Sequence, residues 1–408
     1  MQLFQALTVG SAALVQCSTG LSAGGPTYHR DVAPIVAAHC VECHQQGGIG
    51  PFPLTTYEEV APHAGAIAEV TAGRSMPPFN LDNSGACNTF AGARWLADDD
   101  LATLDAWAQA GAPAGPAVAP EPAPAPAWQL DRVDLTLAMP EPYTPDPGED
   151  DVYRCFILDP QLDHDAFVVA FAVRLGRRSM VHHLTLYALD AAEDEAEAAA
   201  LDAADAGPGY TCFGDPLVPS RWLVGTGPGD PGGRLPEGTG LRMAAGRQAV
   251  LQMHYNQVHG AGSDQTAIDL QLAASVAHEA SVKRVEDAYL ELPPGRPAVV
   301  ESDTRELHED FTLWGVWPHM HDLGRQLRVT ARGPGGDTCL AQVNDYRFHW
   351  QQFAFYERPL HVRAGDTLQI DCTYDTTGRT MTTSWGYGTA DEMCIGFFYV
   401  TEGLADPR

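Results

Sequence analysis

Lysine is nearly absent: the 408 residues contain one, Lys283. Lysine and arginine together number 24 against 53 acidic residues, a formal net charge of −29. So acidic a chain offers no general basic surface for neutralising phosphates, which argues against nucleic acid as a partner. It also disfavours electrostatic adhesion to anionic lipid. Long apolar runs are missing too, and no stretch beyond the first residues has the length of a membrane-spanning helix. What is present is a globular composition, 45% apolar and 19% charged, in a length that suits two or three domains.

Residues 1–23 stand apart. Leu3 to Val15 is mildly apolar and is followed by Cys17 and small residues to Ala23. This reads as an export leader without the usual positively charged start. Leu14-Val15-Gln16-Cys17 loosely resembles a lipoprotein cleavage box, with Gln16 a poor fit, so membrane association depends on lipidation of Cys17. Nine cysteines are scattered along the chain. In an exported, β-rich protein such spacing favours disulfides, hence a periplasmic or extracellular location.

Composition shifts at Pro113–Ala127, an Ala/Pro-rich stretch that reads as a semi-rigid extended linker. Before it, Val32–His39, Tyr57–Ala72 and Asp98–Ala110 carry helical apolar spacing, the last opening on three aspartates. After it, segments rich in Val, Leu, Phe, Tyr and Thr are bounded by Gly, Pro and Asp. They include Phe167–Leu175, His182–Leu189, Ala249–Gln257, Ala267–Ala273, Leu313–Ala331, Thr367–Tyr374 and Cys394–Val400. Ala191–Ala206 breaks the pattern as an acidic helical insertion. The expected organisation is a leader (1–23), a small α domain (24–115), a linker (116–127), and two antiparallel sandwiches (128–275 and 276–408).

Cys40-Val41-Glu42-Cys43-His44 is a C-x-x-C-H sequence. Its two thiols can form thioethers to a haem, with His44 placed as an axial iron ligand. A redox pair would call for a βαβ setting and a structural zinc for a second ligand pair nearby, and neither is present. Met76, between Ser75 and two prolines, is the methionine of this region and the favoured sixth ligand; His39, His63 and His29 compete. The module resembles class I cytochrome c over about residues 27–113.

The β region carries three histidine motifs: Val181-His182-His183-Leu184, Gln252-Met253-His254-Tyr255 and Pro318-His319-Met320-His321-Asp322. In a strand, His319 and His321 share a face and can chelate one metal. His182 and His183 point oppositely in an ideal strand, so sharing a metal demands a different ring nitrogen or a bend. Imidazole-rich sites suit Cu, Zn, Fe or Ni, and a thioether from Met393, in Asp391-Glu392-Met393-Cys394, would favour Cu(I). His164, His259, His278, His308, His349 and His361 stand outside these motifs and read as structural.

These ordered motifs resemble the copper type II, ascorbate-dependent monooxygenases over about residues 128–402. The resemblance implies two jelly-roll-like sandwiches with two copper ions facing a cleft. His182, His183 and His254 match the electron-transfer copper ligands, and His319, His321 and Met393 match the ligands of the copper that binds O2. It also implies disulfides Cys372–Cys394 and Cys155–Cys212, leaving Cys87 and Cys339 without an assigned partner. Where the peptide-amidating members hold a substrate carboxylate, this chain has Trp317, Ile395 and Phe397, which implies an apolar or aromatic pocket; Trp314 and Phe398 are further candidates.

The resulting expectation is an exported oxidoreductase that acts on paired donors and inserts one oxygen atom. It would hydroxylate a C–H bond of a small organic molecule using O2. Electrons would come through one covalent haem c from a redox protein or an ascorbate-like reductant. The rival readings are a non-catalytic haem/copper electron-transfer or copper-handling protein, and a zinc hydrolase built on the same histidines.

Overall fold

The computed structural model describes residues 24–46, 48, 50–118, 129–149, 151–227, 230–257 and 260–404. The leader with Cys17, positions 119–127 of the linker and His259 lie outside the described residues.

The N-terminal part is helical because its caps and apolar faces agree. A π-helical turn at Tyr28–Val32 runs into Ala33–His39, with a proline in the first turn of the latter. Thr56 and Glu59 form a capping box that opens Tyr57–Val60. The chain continues through Ala61–His63 into Ala64–Ala72. Asp98–Gln109 starts on three aspartates, whose charges suit the positive end of the helix dipole, and buries Leu104 and Trp107. These helices close on a core of Val32, Val60, Leu96 and Trp107. Its ends are tied by Trp107 Nε1–H to the Pro113 carbonyl at 3.1 Å and Tyr57 Oη–H to the Ala112 carbonyl at 2.9 Å.

Residues 79–90 lead away from the helices and strap across the second sandwich. Leu81 bridges to Val343 and Phe90 to Tyr356. Phe79, Leu81 and Phe90 are buried in the same cluster as Val329, Leu340 and Ile370. A disulfide from Cys87 to Cys339 fastens the strap.

The remainder is β, in two layers per half. A nine-stranded sheet runs through both halves in the order Leu135–Ala138, Ala267–Ala273, Ala166–Arg174, Thr239–Met243, His278–Glu286, Ile395–Glu402, Phe311–His319, Ala354–Val362, with Gly232–Arg234 paired to Ala166–Arg174. The halves join where His278–Ala280 pairs parallel to Thr239–Leu241. A five-stranded sheet, ordered Tyr210–Thr211, Asp151–Leu158, Ala249–Asn256, Val181–Ala188, Arg221–Thr226, covers the first half. A four-stranded sheet, ordered Val299–Glu306, Thr367–Tyr374, Gly324–Gly333, Gly336–Val343, covers the second. The inward-facing alternate residues form separate cores, around Phe156, Leu184 and Leu251 in one half and Val316, Ile370 and Tyr374 in the other.

The expected strand Leu313–Ala331 is in fact two, Phe311–His319 and Gly324–Gly333, in different sheets. The turn between them contains His321 and Asp322. Ala192–Ala204 is helical as expected, and its Ala198 is fully buried.

Candidate metal centres

His182 and His183 lie on Val181–Ala188, and His254 on the adjacent strand Ala249–Asn256. Val181 pairs with Tyr255 and His183 with His254, so the register slips by one between them. His182 is the extra residue of this bulge. The strand bends there, the second of the two solutions a doublet requires. All three rings present Nδ1 to one point. The Nδ1 atoms of His182 and His183 are 3.3 Å apart, and those of His183 and His254 are 3.2 Å apart. Three imidazole nitrogens about 2.0–2.1 Å from one ion at tetrahedral angles would be about 3.3 Å from each other. The cluster therefore fits a single bound cation.

The opposite ring nitrogens are engaged. Asp151 Oδ1 accepts from His254 Nε2 at 2.8 Å and from Asn256 Nδ2 at 3.0 Å. The His254 hydrogen bond holds the Asp151 carboxyl below its usual range. Such a partner fixes the ring and the tautomer that leaves Nδ1 free for a metal. His182 Nε2 meets His349 Nδ1 at 3.1 Å. Tyr153 stacks on His254 with ring centroids 4.1 Å apart. Asp151 and His349 were not apparent as site residues in the sequence, being 103 and 167 positions from their partners.

The second set is assembled differently from the strand geometry expected. His319 ends its strand and His321 lies in the following turn, yet their rings stand 5.2 Å apart and nearly perpendicular. His319 Nδ1–H donates to Gln351 Oε1 at 2.6 Å, and His321 Nδ1–H donates to the Asp391 carbonyl at 3.1 Å. Both leave Nε2 available. Burial pushes all five imidazoles below their ordinary value, His319 to about 3. Neutral rings keep a lone pair for a metal.

Met393 is buried just before the strand Ile395–Glu402, and Tyr374 Oη–H donates to its carbonyl at 2.9 Å. The Cys372–Cys394 disulfide pins the next residue, and Cys155–Cys212 is formed as well. Glu392, fully buried, has its carboxyl pushed up to about 7 by burial.

His183, His319, His321 and Met393 line one cavity of about 550 Å³. Trp222, Trp317, Ile395 and Phe397 form much of its apolar wall. The indole N–H groups of Trp222, Trp317 and Trp385, all in this lining, are buried without a hydrogen-bond partner.

In the helical part, Cys40 and Cys43 are free thiols on one turn, with His44 N–H bonded to the Cys40 carbonyl at 2.9 Å. His44 Nδ1–H donates to the Phe52 carbonyl at 2.9 Å, a bond that does not engage Nε2. A Cβ at Gly50 would lie 2.8 Å from the His44 ring, so the turn hugging that ring needs glycine there. Burial pushes the Cys40 thiol up to about 11. Met76 is exposed and lines one small cleft with Arg94, which pairs with Glu42 inside the C-x-x-C-H turn at 3.3 Å. His63 stacks on Phe52, whereas His29 sits against Tyr28 and Tyr57, and His39 ends its helix.

Comparison with known proteins bears on the β region. The chain is 24% identical over 292 residues to tyramine beta-hydroxylase of Caenorhabditis briggsae, covering 65% of this chain and 48% of that protein. It is 26% identical over 280 residues to peptidyl-glycine alpha-amidating monooxygenase of Mus musculus, covering 65% and 26%. It is 23% identical over 288 residues to dopamine beta-hydroxylase of Rattus norvegicus, covering 62% and 44%. The chain thus spans about half or less of these relatives. Residues 300–404, which contain His319, His321 and Met393, match the family model for the copper type II ascorbate-dependent monooxygenase, C-terminal domain, and it is to proteins of that kind that the chain is similar over nearly two thirds of its length.

Proposed function

We propose that this chain is a copper-dependent monooxygenase that hydroxylates a C–H bond of an organic substrate carrying aromatic or apolar bulk. The observation that carries the reading is the cavity shared by His183 of one imidazole set and His319, His321 and Met393 of the other. In this reading His182, His183 and His254 hold an electron-transfer copper, and His319, His321 and Met393 hold the copper at which O2 reacts. Bound copper would supply the redox chemistry, R–H + O2 + two electrons + two protons giving R–OH and water. The protein's part is orientation: Asp151, Gln351 and the Asp391 carbonyl fix the rings. Trp317, Ile395 and Phe397 stand where a carboxylate clamp would, and favour a substrate without a terminal carboxylate.

Cys40 and Cys43 would attach a haem c, with His44 and Met76 as axial ligands. The anchored Nδ1 of His44 and the free thiols support this. The haem would pass electrons from a redox protein or an ascorbate-like reductant. Three disulfides favour an oxidising location such as the periplasm. No helix among the described residues is long and apolar enough to cross a membrane.

The test is metal and haem stoichiometry with O2-dependent turnover. Two coppers and one haem per chain are expected, with a c-type pyridine haemochrome. His319→Ala should lose one copper and all turnover, while His183→Ala should lose the other copper. A protein that binds zinc alone, or copper without O2 consumption across candidate substrates, overturns the reading.

A further inference from the structure

The turn Arg347–Gln351 touches both imidazole sets. Phe348 stacks on His182 with centroids 5.1 Å apart and meets the His321 ring at 5.8 Å. His349 reaches His182 Nε2 at 3.1 Å. Gln351 accepts from His319 Nδ1 at 2.6 Å and donates back to the Phe348 carbonyl at 2.8 Å.

What holds this turn comes from the far end of the chain. Asn80 Nδ2 donates to the Arg347 carbonyl at 3.0 Å and the Trp350 carbonyl at 3.2 Å, and Asn80 Oδ1 accepts from Arg347 N–H at 2.9 Å. Asn80 is on the strap, between buried Phe79 and Leu81, and four positions after Met76. It clamps both ends of a short turn that has no capping side chain of its own.

We propose that His349 is a positioning residue for the three-histidine metal and that Asn80 holds it in place, so that the N-terminal strap controls the geometry of that centre. The inference rests on the metal assignment above. With His182 Nδ1 turned to the metal, its Nε2–H donates to His349 Nδ1. That fixes the ring and raises its basicity toward the metal. His349 itself is exposed, so its imidazole is not required for packing.

The experiment uses full-length protein loaded with copper alone, followed by the EPR hyperfine pattern and copper affinity by chelator competition. His349→Ala should change the signal of the three-histidine copper and weaken its binding about 10- to 100-fold. His349→Gln, whose amide oxygen can accept from His182, should restore most of both. Asn80→Ala, which touches no ligand, should move the same signal in the same direction. Asn80→Asp keeps the acceptor for Arg347 but loses both donations, and should fall between. Thermal unfolding verifies that each variant folds. Unchanged signal and affinity in His349→Ala overturn the inference, as does a shift that His349→Gln fails to restore. Should His183→Ala keep both coppers, the metal assignment itself is wrong, an outcome distinct from a silent His349.

Discussion

Glu392 and His321 are joined through the backbone: the Glu392 carboxylate accepts the His321 N–H at 3.0 Å. The same oxygen takes the Met393 N–H at 3.2 Å, and the other takes the Leu323 N–H at 2.6 Å. One buried carboxylate thereby registers the turn holding His321 against the segment holding Met393. In Glu392→Gln the amide nitrogen cannot accept, so at least one of these buried N–H groups loses its partner. The cost is about 1–3 kcal/mol. We expect a lower unfolding midpoint and loss of one copper per chain, with the three-histidine EPR signal retained. Loss of both coppers together would show that the two centres are not separately organised.

Asp230 carries a pH dependence with a definite sign. Burial pushes its carboxyl up to about 6, against the opposing pull of the Gly232 N–H and Arg94. The folded protein therefore holds this proton more tightly than the unfolded chain, where the value is about 3.9. Its contribution to stability falls as pH rises from about 4 to about 6 and is level above that. Asp230→Asn keeps an acceptor for Gly232 and removes the charge. Its stability relative to wild type, from urea unfolding at a series of pH values, should rise across that window and then stay constant. A difference independent of pH would remove Asp230 as the cause.

The strap gives a third expectation. Cys87–Cys339 closes a separation of 252 residues, against 22 for Cys372–Cys394. On chain entropy the long closure is worth about 5 kcal/mol and the short one about 3 kcal/mol. The double variant Cys87→Ser/Cys339→Ser should unfold at a lower denaturant concentration. Limited proteolysis should then cut within residues 79–95 before the sandwiches. Without the disulfide the strap is left with non-covalent anchors alone, such as Asn88 Nδ2 to the Cys339 and Leu340 carbonyls at 2.9 and 3.0 Å. Protection of that segment equal to wild type would mean that these anchors suffice.

The histidine motifs were legible in the sequence because donor type and spacing are local. The means by which His182 and His183 face one point was not, because the bulge exists only in register against Tyr255 and His254. The pair His319/His321 read as a strand face, yet a chain reversal brings the rings together; alternation continues through Met320 and masks the turn. The strap was counted within the small α domain of residues 24–115, because its buried anchors Phe79, Leu81 and Phe90 are too sparse for either period and find their partners, in the second sandwich, only across the fold. Parallel pairing of His278–Ala280 with Thr239–Leu241, which makes one sheet of two halves, leaves no local signal either.

Met393 offers the sharpest test of how labour divides between the centres. Its backbone is held independently of its side chain, by Tyr374 Oη–H on its carbonyl, Glu392 on its N–H and the Cys372–Cys394 disulfide beside it. Met393→His therefore changes the donor while the strand stays in place. Imidazole is harder than thioether and favours Cu(II) over Cu(I). The variant should still bind two coppers, and the signal from His182, His183 and His254 should match wild type. Reduced and mixed rapidly with O2 and substrate, it should form no hydroxylated product in a single turnover. Reduction of the haem proposed at Cys40, Cys43 and His44 by an external donor should proceed at the wild-type rate, since Cys40 packs against a separate helical core. Hydroxylation at the wild-type rate would show that Met393 is not a ligand, and the O2-reactive centre would then have to be rebuilt around His319 and His321 with another donor from the cavity wall.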